Sequence, residues 1–137
     1  MIVADTGAVL ALIDADDRHH ETLAAKFRED PSSWILPWAV LPEVDYLLGT
    51  HVGSRAQDAF VSDLGRGEWA VDWGGEADLK RANEIATRYR GLRLGLVDAA
   101  VIAAAERLRA TAIATLDLRH FGAVAIRGRP RLIPRDL

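Results

Sequence analysis

The chain has 137 residues, of which 50% are hydrophobic and 27% are charged, so we expect one domain with a real core and exclude global disorder. No cysteine is present, which excludes disulfides, thiolate metal sites and a cysteine nucleophile. The formal net charge of −3 excludes a globally basic nucleic-acid binder. No stretch is typical of a leader or a membrane span, so we expect a cytoplasmic protein with no membrane partner.

Predicted strands and helices alternate along the whole chain. The strands are predicted at residues 2–4, 34–36, 69–72 and 112–115, with a last strand at either 124–126 or 131–133. The helices are predicted from residue 8, from residue 16 or 17 to about 29, and over residues 39–50, 53–64, 76–89 and 96–109. This alternation predicts an α/β fold with a central, largely parallel, twisted sheet of four to five strands flanked by helices.

Two aspartates stand just after predicted strands. Asp5 follows the first strand directly, and Asp117 follows the fourth strand after Leu116. Both are therefore expected at the carboxyl edge of the sheet, where α/β folds of this kind bind their ligands. Each alone has a structural alternative, because an aspartate between a strand and a helix is most often a helix N-cap.

Two further acids lie among apolar residues on predicted helices. Glu43 shares a helix face with Tyr46 and Leu47 by three- and four-residue spacing. Asp98 lies on an apolar face of the helix predicted over residues 96–109. An unpaired carboxylate on such a face costs several kcal/mol or stays protonated, so each needs a partner or a ligand. Asp98 lies in the first turn, where capping is an equal alternative, and Asp45 is a rival to Glu43 with a less clear apolar pattern.

The four acids Asp5, Glu43, Asp98 and Asp117 predict one shared site if the helices pack near the carboxyl edge of the sheet. Carboxylates that converge repel one another unless a cation neutralises them. Oxygen ligands in a chain without cysteine favour a hard cation, either Mg²⁺ or Mn²⁺, which keeps waters and bridges to substrate phosphate. The four positions form no local motif, so their convergence follows from the predicted fold.

At these residues the sequence resembles the PIN-domain ribonucleases, and among them the VapC-type toxins of toxin–antitoxin pairs. The segments that carry the resemblance are, in order, Ile2-Val3-Ala4-Asp5-Thr6-Gly7-Ala8, Leu41-Pro42-Glu43-Val44-Asp45-Tyr46-Leu47, Leu94-Gly95-Leu96-Val97-Asp98-Ala99-Ala100 and Ile113-Ala114-Thr115-Leu116-Asp117-Leu118-Arg119-His120-Phe121. Together they extend over essentially the whole chain, so the resemblance implies a single PIN domain over residues 1–137. The chain departs from the family pattern at Ala4, before the first acid, and at Pro42, before Glu43.

The resemblance also implies the roles of individual residues. The metal-binding and catalytic acids that it implies are Asp5, Glu43, Asp98 and Asp117. Thr115 matches a catalytic-site hydroxyl that helps to hold water or metal, and Thr6 would help to order Asp5. The implied activity is hydrolysis of RNA phosphodiester bonds, which leaves 5′-phosphate and 3′-hydroxyl ends. Mg²⁺, or Mn²⁺ in its place, would generate hydroxide from water and stabilise the charge of the transition state, with one ion or two left open.

The implied partners are an RNA substrate, a second copy of the chain and an antitoxin. The RNA would be a tRNA or a large-subunit rRNA, and no motif favours one of them. The chain would form a homodimer, and a VapB-like antitoxin would inhibit it by placing an arginine among the acids. Two other interpretations stay open, namely a non-toxin PIN-domain nuclease that processes RNA and a catalytically silent PIN-fold binding protein.

Basic residues are concentrated at the C-terminal end of the chain. Residues 119–137 contain five arginines against one aspartate, so the acidic excess lies upstream. Arginine suits phosphate, although solvated surface arginines give the same pattern. The asymmetry permits a basic rim beside an acidic pocket, and His120 is a candidate phosphate contact. Further candidates for lining an RNA path are Arg88, Arg90, Arg93 and Arg119.

Three other classes of phosphate-handling enzyme are disfavoured. A phosphatase of the haloacid-dehalogenase type needs a second aspartate two residues after the first, where this chain has Gly7. A receiver domain needs a late lysine, and no lysine follows Lys80. A P-loop enzyme needs a Gly-Lys-Ser/Thr run, which the chain lacks.

Overall fold

The computed structural model describes residues 1–137 and contains one sheet of five strands. The strands are β1 (Ile2–Ala4), β2 (Trp34–Pro37), β3 (Val71–Asp72), β4 (Ala112–Ala114) and β5 (Arg131–Ile133). They lie in the order β3-β2-β1-β4-β5, and every neighbouring pair is parallel. The predicted α/β fold is confirmed, and the last strand is 131–133 rather than 124–126.

Helices connect the strands and cover the sheet. They are α1 (Thr6–Ile13), α2 (His20–Glu29), α3 (Val40–His51), α4 (Ser54–Gly65), α5 (Glu76–Arg88), α6 (Leu96–Arg107) and α7 (Leu118–Phe121). Single 3₁₀ turns lie at Pro31–Ser33 and Arg90–Leu92. Each predicted helix is present, with boundaries that differ by a few residues.

Local hydrogen bonds explain where the helices begin. α1 begins directly after Asp5, earlier than predicted, because the Asp5 side chain accepts a hydrogen bond from the backbone N–H of Ala8. α2 begins after His19, later than predicted, because the Asp17 side chain accepts from the backbone N–H of His19 and closes a turn first. Pro42 lies in the first turn of α3, where its missing N–H removes no hydrogen bond from the helix.

The sheet is buried between helices. Val3 in β1 and Ile113 in β4 have no exposed surface, and α6 packs on both β1 and β2. α1 packs against α2 and α3, and α5 packs along α6. Removal of these apolar side chains from water is the main stabilising contribution, so the carboxyl edge of the sheet is a rigid base for the residues that follow it.

Ion pairs attach α6 to α5 and to β3. The Arg107 guanidinium at the end of α6 donates to the buried carboxylate of Asp78, with Nε and Oδ1 2.9 Å apart, and also pairs with Asp72. Arg81 on α5 donates to Glu106, with Nε and Oε1 2.7 Å apart. These pairs fix the direction of α6, the helix whose first turn carries Asp98.

The free edge of β5 is capped by its own chain. Arg131 and Ile133 make the hydrogen bonds to the β4 side of the sheet, so the backbone groups of Leu132 point outward. The Leu132 N–H donates to the Asp136 carboxylate at 2.7 Å, and the Leu132 carbonyl accepts from the Asp136 N–H at 2.8 Å. Another strand therefore finds no free pairing groups at Leu132.

No helix combines the length and the apolar composition that a membrane crossing requires.

Candidate functional site

A cleft of about 380 Å³ opens at the carboxyl edge of the sheet, above β1 and β4. Its lining residues are Asp5, Thr6, Gly7, Leu10, Glu43, Leu47, Asp98, Leu116 and Asp117. The four acids singled out in the sequence thus meet in one cleft. They arrive from four different elements, two at strand ends and two on helix faces.

Asp5 is the most deeply buried of these acids. It is 5% exposed, and its Oδ1 accepts a hydrogen bond from the Ala8 N–H at 2.8 Å. Its Oδ2 accepts from the Thr115 hydroxyl. The pKa of Asp5 is raised to about 7, mainly by burial and in smaller part by the nearby carboxylates of Asp98 and Asp117, while the two hydrogen bonds oppose the rise.

Thr115 connects two of the acids from beneath the cleft. Its side chain is fully buried, and its hydroxyl donates to Asp5 while accepting from the backbone N–H of Asp117 at 3.0 Å. The hydroxyl does not line the cleft itself. Its role in this arrangement is to hold the Asp5 carboxylate and the Asp117 backbone in a fixed relation.

Asp98 and Asp117 are joined by His120. The His120 Nδ1 is hydrogen-bonded to Asp98 Oδ2 at 3.0 Å, and it lies 2.9 Å from Asp117 Oδ2, within ion-pair distance. The His120 backbone N–H also donates to Asp117 Oδ1 at 3.1 Å. Burial raises the pKa of Asp98, as do the Asp117 and Glu43 carboxylates, while the hydrogen bond from His120 opposes the rise.

Glu43 reaches the cleft from the first turn of α3. It lines the cleft together with Leu47, as the predicted helix face requires, whereas the rival Asp45 does not line it. Tyr46, which was expected on the same face, is instead 66% exposed. A residue three positions after Glu43 lies at the edge of the helix face that Glu43 and Leu47 share. Because α3 packs on α1 by that face, its edge is left exposed.

Thr6 does not order Asp5 by a hydrogen bond. Its hydroxyl is buried in the wall of the cleft, yet Thr6 Oγ1 has no hydrogen-bond partner. A buried hydroxyl without a partner is uncommon in proteins, so the expected ordering of Asp5 by Thr6 has no hydrogen bond behind it.

The donor set of the cleft fits a hard divalent cation. No lysine or arginine lines it, so no side-chain cation neutralises the four carboxylates there. Carboxylate oxygens are the donors that Mg²⁺ and Mn²⁺ prefer. Burial is the main cause of the raised pKa values of Asp5 and Asp98, and the neighbouring carboxylates add to the rise. Asp98, Asp117 and His120 each offer one ligand atom, and these atoms lie within 4.8 Å of one another.

His120 is the site residue whose part the sequence did not reveal. We expected it to contact phosphate, and the structure places it between two carboxylates. The available signal was its position three residues after Asp117, the spacing at which a residue in a first helical turn meets its N-cap. The contact with Asp98 depends on the packing of α6 against α7, which no sequence spacing shows.

Comparison with known proteins gives consistent similarities. The family model described as PIN domain matches residues 2–126. Ribonuclease VapC26 of Mycobacterium tuberculosis is 35% identical over 123 residues, which is 90% of this chain and 91% of that protein.

Two solved structures resemble this fold at lower identity. VapC20 of M. tuberculosis, described as a toxin that cleaves the sarcin-ricin loop, has a TM-score of 0.74 at 24% identity, covering 82% of this chain and 87% of its own. VapBC2 of Rickettsia felis, solved bound to a DNA fragment from its promoter, has a TM-score of 0.70 at 15% identity. The match covers 96% of this chain and 97% of that chain. At these identities the structures support the fold alone.

Proposed function

The chain belongs to the PIN-domain family, within its VapC-type group, and we propose that it is a metal-dependent endoribonuclease of the toxin type. The observation that carries the proposal is the convergence of four carboxylates from four elements in one cleft that no lysine or arginine lines. The relative named as a ribonuclease, similar over nine-tenths of both chains, supports RNA as the substrate class.

In this proposal Asp5, Glu43, Asp98 and Asp117 hold Mg²⁺, with Mn²⁺ as the alternative cation. When bound, the cation supplies electrostatic stabilisation of the reacting phosphate and acidifies water. The buried Thr115 hydroxyl keeps the Asp5 carboxylate aimed into the cleft. His120 holds the Asp98 and Asp117 carboxylates side by side, so these oxygens need little reorganisation when substrate arrives.

The proposed partners follow from the same family placement. We propose that a VapB-like antitoxin binds and inhibits the protein and that the protein forms a homodimer. A complex between a toxin of this fold and its antitoxin, on promoter DNA, is represented among the structural neighbours. We also propose that the substrate is a tRNA or an rRNA and that the protein acts on it in the cytoplasm.

The test is to incubate antitoxin-free protein with total bacterial RNA and with ribosomes, in Mg²⁺ or Mn²⁺, and to map new 5′-phosphate ends by sequencing. We expect discrete cuts that disappear in EDTA. Two substitutions on one helix sharpen the result, because Glu43 lines the cleft and Asp45 does not. Glu43→Gln is expected to remove the cuts, and Asp45→Asn is expected to retain them.

Asp98→Asn serves as a second inactive variant on a different helix. Cuts that persist in EDTA would exclude the metal-dependent mechanism. A folded protein that binds the antitoxin but cuts none of the RNA would instead favour a PIN-fold binding protein without catalysis.

A further inference from the structure

A second and larger concavity lies along the free edge of the sheet, beside β5. We call it the C-terminal groove and define it by its three arginines, Arg127, Arg129 and Arg135. It has a volume of about 450 Å³, and its floor is apolar. Residues of that floor include Phe121, Ile126 and Leu132, all buried. No acidic side chain lines the groove.

Two of the three groove arginines form no ion pair within the protein. Arg127 and Arg129 are exposed and take part in no ion pair, whereas Arg135 pairs with Asp136. The backbone around them is nevertheless fixed. The Arg127 N–H donates to Glu106 Oε2 at 3.0 Å, and Arg129 adopts a left-handed conformation at φ 49°. The groove therefore presents two exposed guanidinium groups outside any ion pair, carried by a loop whose backbone is fixed.

The groove and the acidic cleft are joined by the short helix α7. Asp117 caps this helix and lines the cleft, while Phe121 and Gly122 at its other end line the groove. Four helical residues advance about 6 Å along the helix axis. That distance is comparable with one or two nucleotide steps of a single strand, at about 3.4 Å per step in a stacked conformation.

The charge of the cleft makes such a neighbouring cationic surface necessary. Four carboxylates with one divalent cation still carry a net negative charge, and an RNA strand adds one negative charge per phosphate. Attraction of the strand must therefore come from basic groups outside the cleft, since phosphate contacts dominate nucleic-acid affinity. The apolar floor beneath the arginines also suits contact with the faces of sugars and bases.

We propose that the C-terminal groove binds backbone phosphates of the single RNA strand that is cut in the acidic cleft, through Arg127 and Arg129. This inference rests on the proposed ribonuclease function and names the surface that holds its substrate. Phosphate contacts position a strand without reading its sequence, so the groove contributes affinity and register rather than base specificity.

Binding is measured by fluorescence anisotropy with a fluorescein-labelled, single-stranded RNA of mixed sequence, in EDTA so that no cutting occurs. The test variant is Arg127→Gln with Arg129→Asn, because asparagine tolerates the left-handed backbone at that position. The control pair removes equal charge at Arg18 and Arg55, which are exposed, lie outside the groove and form no ion pair. Both are replaced by glutamine.

We expect the groove variant to bind about tenfold more weakly near 0.1 M salt and to lower the slope of log K against log salt by about 1.4, or 0.7 for each lost phosphate contact. The control pair should bind as wild type does. Replacing both groove arginines with lysine should restore most of the affinity, because the charge is retained. In cleavage assays the groove variant should raise KM and leave kcat unchanged.

Equal RNA affinity of the groove variant and the control pair would overturn the proposal. So would a lysine variant that melts at the wild-type temperature but does not regain the RNA affinity. A wild-type protein that binds RNA through the groove but cuts none of it would refute the proposed nuclease function instead. The binding assay therefore tests the groove, and the cleavage assay tests the nuclease function.

Discussion

At the residue scale, the cleft acids combine a structural role with a free carboxylate. Asp5 caps α1 through Oδ1, and Asp117 caps α7 by accepting from the His120 N–H. The capping interpretation of both residues was therefore correct, and it does not compete with ligand binding. A cap uses one lone pair and fixes the carboxylate, and the remaining lone pairs stay available to the cleft.

Asp5→Asn should reveal the cost of burying the Asp5 charge. The pKa of Asp5 rises from 3.8 to about 7 on folding, so the folded protein favours the protonated acid. The stability associated with that proton is full at low pH and is lost as the pH rises to about 7. In EDTA, wild type relative to Asp5→Asn should lose about 3 kcal/mol of unfolding free energy between pH 5 and pH 8, at about 1.4 kcal/mol per pH unit below the folded pKa.

Urea unfolding at several pH values measures this difference, and the asparagine variant cancels the titration of the groups that do not interact with Asp5. A difference between the two proteins that stays constant with pH would contradict the buried, protonated state of Asp5. Addition of Mg²⁺ at pH 8 should stabilise wild type more than the variant, because the cation favours the ionised carboxylate.

His120→Asn should weaken metal binding although His120 is not one of the proposed acidic ligands. Loss of the imidazole removes the hydrogen bond to Asp98 and the ion-pair contact with Asp117 that hold the two carboxylates together. Outer partners of this kind are typically worth about 10- to 100-fold in metal affinity. Calorimetric titration with Mn²⁺ measures the change, and His51→Asn on exposed α3 surface is the matched control. Wild-type affinity in His120→Asn would exclude a positioning role.

At the element scale, α6 carries Asp98 at one end and is tied down at the other. The helix is almost entirely apolar in its middle, where Ala99 to Ala105 are buried, so packing alone allows it to slide along similar small side chains. The pairing of Arg107 with Asp72 and Asp78 supplies a directional restraint. Such a restraint fixes the position of the first turn, and hence of Asp98, relative to the sheet.

Arg107→Ala should destabilise the fold more than loss of a surface ion pair. It leaves the Asp78 carboxylate, 8% exposed, without its guanidinium partner. We expect a loss of about 2 kcal/mol, below the range for fully buried pairs because the guanidinium is partly exposed. Arg66→Ala, which breaks an exposed pair with Asp63, should cost less than about 0.5 kcal/mol. Equal urea midpoints for the two variants would contradict this account.

At the scale of the whole molecule, opposite charges are separated on neighbouring surfaces. The acidic cleft and the arginine-lined C-terminal groove lie at the two ends of α7. The net charge of −3 conceals this separation, because it sums both surfaces. A polyanion therefore meets a repelling cleft and an attracting groove at the two ends of one short helix, which restricts how a strand can approach.

The organisation of residues 1–137 as a single domain stays a prediction. One hydrophobic cluster draws several residues each from α1, α3 and α6 and from four of the five strands. The other helices contribute one residue each, namely Leu23, Phe60, Ile85 and Phe121. Such a cluster should unfold in one cooperative step. Far-ultraviolet circular dichroism and tryptophan fluorescence should give coincident urea transitions, and separated midpoints would indicate two units.

The sequence by itself determined the order of strands and helices and the four acids of the cleft. Strand and helix periods are local properties, and a carboxylate on an apolar helix face is visible from spacing alone. The sequence predicted the first and last residues of these elements less well. The strand expected at 69–72 is reduced to Val71–Asp72, since an edge strand pairs only where its neighbour β2 extends.

Only the tertiary structure decided which groups touch. The Thr115 hydroxyl between Asp5 and Asp117, the His120 ring between Asp98 and Asp117, and the exposure of Tyr46 all depend on how separate elements pack. The choice of β5 over residues 124–126 had the same origin, because both segments are apolar enough for a strand. Contacts between residues distant in the chain are set by the packing of faces and by long-range pairing, which local pattern and spacing do not encode.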